Sequence, residues 1–327
     1  MGDTADSLLA DGYATHAQLL DRVRADVVEA DVAATRRALV EHCRMWLTDD
    51  PEPRLRFAAM RPEDLAGLMR AAPRLTVLFT QAAMYPNRPL KRELGFELTS
   101  WEPVLASSRR LQLAKLLLPA LPAELPVSAL LWMYELRRTE SALRHLKGQW
   151  EGLVRERLSR LTRCQVTKER PLRAGSATQR FEIDAVVWRG EPAANINALT
   201  DADGRPALLV DIKRIEGQDF SIRAGEMLAA AENCKARFPS LPVAAVLYHP
   251  HLDKHERIRY RLTAGEFDAV VFASEAPESI DDALVDVLRI CAPGLLGAGQ
   301  RPTPPARPPA RTFEQGTLFR RMACPHK

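Results

Sequence analysis

No run of apolar residues in this 327-residue chain reaches membrane-spanning length, so a transmembrane helix is not expected. The opening stretch, MGDTADSLLADGYATHAQLLDRV, lacks the basic start and the apolar segment of a signal peptide, and a cytoplasmic chain is the expectation. Cysteine is sparse. Cys43, Cys164, Cys234, Cys291 and Cys324 form no CxxC pair, which implies neither a disulfide framework nor a zinc finger and suits a reducing compartment. Aromatic residues make up only 6%, so stacking on single-stranded nucleic acid is not advertised. Nor is charge of one sign in large excess: the net +4 is too mild to demand a polyanionic partner by itself. Lysine is scarce as well, eight of the 46 basic residues, which makes the position of Lys213 informative.

What is present is an ordinary soluble composition, 46% hydrophobic and 27% charged, in a chain long enough for one sizeable core and a second unit. Residues 1–130 read as helical: THAQLLDRVRADVVEADVAATRRALVEHCRMWL carries apolar residues three and four apart over several turns. RPEDLAGLMRAA follows, with Pro62 suited to a first turn, then RLTVLFTQAAMY and VLASSRRLQLAKLLL, with a proline-bearing loop expected over 84–103. A long helical stretch runs from about Pro126 to Leu161, with a bend or interruption expected at Gly148. Beyond it CQVTKERPL, RFEIDAVVW and PALLVDIKRI read as strands, SIRAGEMLAAAENCKARF as a helix, VAAVLYH and DAVVFAS as strands, and PESIDDALVDVLRICA as a last helix. Residues 131–298 therefore form an α/β domain in the order α-β-β-β-α-β, with additions. Residues 299–327 are a tail whose proline-rich start, QRPTPPARPPART, cannot pack a core.

The chemistry sits in two of those strands. Alternation along FEIDAVVW sets Glu182 and Asp184 on one face and Phe181, Ile183, Ala185 and Val187 on the other. Along ALLVDIKR it sets Asp211 and Lys213 together, opposite Leu208, Val210 and Ile212. If 189–206 turns a long hairpin, Asp184 and Asp211 meet at one end of the sheet. Carboxylates side by side among apolar residues are costly unless a cation neutralises them, and Mg²⁺ or Mn²⁺ suits such oxygen donors. That ion would activate water for attack on a phosphate, with Lys213 orienting the water or steadying the developing charge. For Glu182 two readings stay open, a metal role and a strand residue paired with an arginine.

The pattern of ID at 183–184, a spacer, DIK at 211–213, an amphipathic helix and an apolar strand resembles the PD-(D/E)xK nucleases over residues 140–275. Gly148, Glu151, Val154 and Leu158 are similar to the glutamate-bearing helix of that family, while Ile183 stands where its first motif has proline. The resemblance implies a restriction-endonuclease-like core, a mixed central sheet flanked by helices, preceded by the all-helical amino-terminal region. It also implies metal-dependent hydrolysis of phosphodiesters, in DNA rather than RNA, by Glu151, Asp184, Asp211 and Lys213. A protein that keeps this fold without its chemistry, as a nucleic-acid-binding or docking scaffold, is the alternative.

Around this core, Arg155 to Arg180 holds eight basic residues against two acidic. Arg155, Arg160, Arg163, Lys168, Arg170 and Arg173 are the expected phosphate contacts, with a solubilising face as the plainer reading. His249, His251 and His255 in HPHLDKHE read as an open loop near the substrate, because no helix or CxxC frame would fix zinc ligands. In the tail, Gln315, Leu318 and Phe319 spell QxxLF, which resembles the peptide that docks bacterial proteins on the DNA sliding clamp. The plainer alternative is that Phe313, Leu318 and Phe319 fold back on the protein's own surface. Homodimerisation is left open.

Overall fold

Thr15 opens the first helix with a capping box: its hydroxyl accepts from the Gln18 amide at 3.3 Å, and Gln18 Oε1 accepts from the Thr15 amide at 2.7 Å. The computed structural model describes residues 12–85, 87–173, 180–203, 205–215 and 220–296, with the backbone alone for 169–173, 180–182 and 202. Helix α1 (His16–Val23) passes through a π-helical turn at Arg24–Val28 into α2 (Glu29–Cys43). A short antiparallel ribbon, β1 (Arg54–Arg56) with β2 (Glu124–Pro126), interrupts a region expected to be wholly helical. Between the two strands lie α3 (Pro62–Ala71), α4 (Arg74–Ala82), α5 (Asn87–Leu94) and α6 (Ser107–Leu117). Pro62 starts α3 as anticipated. The loop expected over 84–103 instead contains α5, because Pro89 falls in its first turn, where a missing amide costs nothing. These helices close around Leu39, Leu65, Leu75, Phe79, Leu113, Leu130 and Tyr134.

Helix α7 (Val127–Thr162) runs 36 residues without a break, a rod of roughly 54 Å at 1.5 Å per residue. The interruption expected at Gly148 does not occur. One glycine costs a helix only about 1 kcal/mol, and both flanks are held by packing: Leu130, Leu131 and Tyr134 in the amino-terminal core, Trp150, Val154, Leu158 and Leu161 in the next. Residue 130 falls inside its first turns, so the two parts of the chain share this helix. It ends on Arg163 in the left-handed conformation, φ 55°.

The sheet that follows has the order β3 (Gln165–Arg173), β4 (Arg180–Trp188), β5 (Pro206–Arg214), β6 (Val243–Tyr248), β7 (Ala269–Phe272). The pairs β3–β4 and β4–β5 are antiparallel and the pairs β5–β6 and β6–β7 parallel. Helices α8 (Phe220–Arg237), α9 (Leu252–Thr263) and α10 (Pro277–Cys291) complete a mixed α/β unit. Residues of α7 and α10 pack on one face against Val210, Ile212 and Val246. Residues of α8 and α9 pack on the other against Leu209, Ala245 and Leu247. With both faces covered, β5 and β6 read as continuous apolar runs.

Two expectations fail here for identifiable reasons. Between the pairs Thr167–Val186 and Glu169–Ile183, two steps along β3 match three along β4, which is a β-bulge. It moves Ile183 to the face of Val186 and Trp188, while Ala185 and Val187 keep the opposite face, so simple alternation along FEIDAVVW breaks at the site. HPHLDKHE is not an open loop either: His251 precedes α9, which packs through Ile258 and Leu262. Its charged run KHERIRYR leaves too few apolar anchors to show the period. Among the described residues no helix is long and apolar enough to cross a membrane. Gln315, Leu318 and Phe319 lie outside the described residues.

Candidate active site

The β4–β5 ladder closes at the pair Ala185–Val210, and Asp184 and Asp211 are the next residues on each strand. Beyond that pair a side chain takes over from the backbone: Asp184 Oδ2 accepts the Ile212 amide at 3.0 Å. Lys213 Nζ stands between the two acids, 2.5 Å from Asp184 Oδ2 and 2.7 Å from Asp211 Oδ1. Both carboxylates are buried, Asp184 being 5% and Asp211 6% exposed. Among the described residues Asp211 meets the Lys213 ammonium and the neighbouring Asp184 carboxyl, and no backbone amide donates to it.

The electrostatics split the pair. Burial pushes the Asp211 carboxyl up to about 7, Lys213 opposes the shift and the neighbouring Asp184 adds to it. Burial also works against Asp184, but its hydrogen bond with Asp211, the Lys213 ammonium and the Ile212 amide together hold it below the ordinary carboxylate value. Lys213 is likewise disfavoured by burial, and the two carboxylates more than compensate, keeping it firmly protonated. With both acids ionised, the one ammonium would leave a negative excess that a low-dielectric interior tolerates poorly, which is what holds the Asp211 proton on. A hard divalent cation fits this donor set, since two buried carboxylates share the single Lys213 ammonium and no backbone amide donates to Asp211. Among the described residues no three His, Cys, Asp or Glu side chains stand together ready for an ion, so water would complete the shell of an ion held by the aspartates.

Glu151, expected as a third ligand, approaches from α7 near enough to feel Asp184 and Lys213, but the three acids do not form a ligand group among the described residues. Burial first, and then repulsion from Asp184, raises the Glu151 carboxyl, while Lys213, Lys168 and Arg155 pull the other way. Arg155, expected as a phosphate contact, turns inward and donates Nη1 to the Asp184 carbonyl at 3.3 Å. Arg160 and Arg157 both bind Asp281 of α10, at 2.8 and 2.6 Å. Arg163 and Lys168 are exposed. Glu182 lies in β4, and Arg170 and Arg173 in β3, with side chains outside the described residues.

The histidines serve packing. His249 is 1% exposed, and burial lowers its ring to about 4. His255 Nε2 lies 2.7 Å from the His249 carbonyl and its ring stacks on Phe272 at 3.8 Å.

Sequence reasoning missed Arg214 and Glu275. Arg214, whose side chain is 1% exposed, turns to the face opposite Lys213, reaches Glu275 Oε1 at 2.5 Å and lies 4.2 Å over the Tyr248 ring. The available signal was parity: Arg214 continues the face of Val210 and Ile212, and a cation aimed into that layer needs an acid from elsewhere. No family model matches the chain, and no curated protein matches it in sequence.

Proposed function

We propose that the chain is a metal-dependent nuclease of the PD-(D/E)xK type, hydrolysing phosphodiesters in DNA on a restriction-endonuclease-like core. The observation that carries this reading is the convergence of the buried Asp184 and Asp211 carboxylates on the partly buried Lys213 ammonium at a bulged strand end. Asp184 and Asp211 would hold Mg²⁺ or Mn²⁺ with water in the remaining positions, and Glu151 would stand alongside from α7. When bound, such an ion polarises a phosphate and acidifies water. Lys213 presents a permanent ammonium to the charge that develops on the phosphate and orients the attacking water. Arg155 fixes the Asp184 backbone, and so the strand end that carries it. Lys168, close enough to Glu151 to affect its carboxyl, is exposed and suited to backbone phosphate.

The test is to incubate full-length protein with supercoiled, nicked, linear and single-stranded DNA and with RNA, in Mg²⁺, Mn²⁺ or EDTA. Cleavage of DNA with either metal, none in EDTA, and losses of about a thousandfold in Lys213→Ala and Asp211→Ala are expected. Equal cleavage by these variants would sink the reading, and metal binding without cleavage would leave the scaffold alternative standing.

A further inference from the structure

Resting on the nuclease reading, we propose that the corner Ser274–Glu275 sets Glu151 and Lys213 in mutual register, with Glu275 as a positioning residue and Arg22 of α1 as its outer lock. Glu151 belongs to a helix and Lys213 to a strand, and what joins them runs through their immediate neighbours. Trp150, beside Glu151, donates Nε1 to the Ser274 carbonyl at 3.0 Å. Arg214, beside Lys213, holds Glu275 at 2.5 Å. Two consecutive residues after β7 therefore receive one tie from each side of the site. The corner is itself pinned: the Ser274 amide donates to Ser279 Oγ at 3.0 Å, and the Ala276 amide donates to Ser274 Oγ at 3.2 Å.

Glu275 is gripped from outside as well. Arg22 binds it with both terminal nitrogens, at 2.8 and 3.0 Å, in the paired geometry that fixes direction as well as distance. Tyr248 fills the space beneath, its ring 5.8 Å from Trp150 and 4.8 Å from Tyr13, its hydroxyl donating to the Ala14 carbonyl at 3.2 Å and accepting the Ala14 amide at 2.6 Å. An aliphatic residue at 214 would continue the apolar face without the cost of burying a cation. A charged, directional contact is worth that cost where position matters more than stability. The consequence is a rate effect: small displacements of reacting groups depress turnover far more than they depress binding.

The experiment measures kcat and KM of the full-length protein on supercoiled plasmid with Mg²⁺ or Mn²⁺. Arg22→Met removes only the half-exposed arginine, so Tm stays within about 2 °C. It is expected to lower kcat about tenfold with KM within about twofold, and Arg22→Lys should recover part of the loss. Glu275→Gln should lower kcat about a hundredfold, and if it does not fold, Arg22→Met alone decides. Arg289→Met, which breaks a comparable exposed pair with Asp286, should leave both constants unchanged. Wild-type turnover in Arg22→Met, or a rise in KM at constant kcat, overturns the positioning role while leaving the nuclease reading intact. Absence of cleavage by the wild-type protein overturns both.

Discussion

Asp211 and His249 are both buried, and they answer to pH in opposite senses. The folded His249 ring takes a proton only near pH 4, the unfolded ring near 6.5, so its contribution to stability is complete above 6.5 and is lost as pH falls toward 4. Folded Asp211 keeps its proton to about pH 7, whereas the unfolded group releases it near 3.8, so stability falls as pH rises through that window. Denaturant titrations in EDTA should separate the two. His249→Phe should flatten the decline between pH 6.5 and 4, and an unchanged decline would place the acid sensitivity elsewhere. Asp211→Asn should stabilise the metal-free protein by about 1 to 3 kcal/mol above pH 7 and abolish stabilisation by Mn²⁺; a destabilised variant that still gains from Mn²⁺ would contradict the assignment. Asp184, Asp211 and Lys213 were legible in the sequence because charged residues inside apolar strands violate a local rule. Glu275 was not, since its meaning comes from Arg214 and Arg22, distant in the chain.

Elements were read well where one period governs a long segment, and poorly where it is diluted. Helix α7 and the strands β4, β5 and β6 announce themselves by spacing or by continuous apolarity. Helix α9, with Ile258 and Leu262 as its buried anchors, does not, and α5 hid behind its prolines. The bulge in β4 is invisible to alternation because it depends on the register with β3. At this scale Gly148 is informative: a Cβ there meets nothing within 4 Å. Gly148→Ala should therefore stabilise the protein by about 0.5 to 1 kcal/mol, read as a rise in Tm. A fall would mean that α7 must flex at that point in solution.

For the molecule as a whole, the sequence marked a helical part, an α/β part and a tail, while the sharing of α7 between the first two emerged only from packing. The tail carries a separate proposal, that QxxLF at Gln315, Leu318 and Phe319 docks on a bacterial sliding clamp. A labelled peptide covering 309–327 should bind a purified clamp, and alanine at Leu318 and Phe319 should weaken it at least about tenfold. Equal binding by both peptides would remove the docking claim. The unbroken course of α7 has one more consequence. Tyr134 in one core and Glu151, next to Trp150 of the other, ride on a single shaft, so a twist applied to the amino-terminal bundle would reach the glutamate as rotation about the same axis.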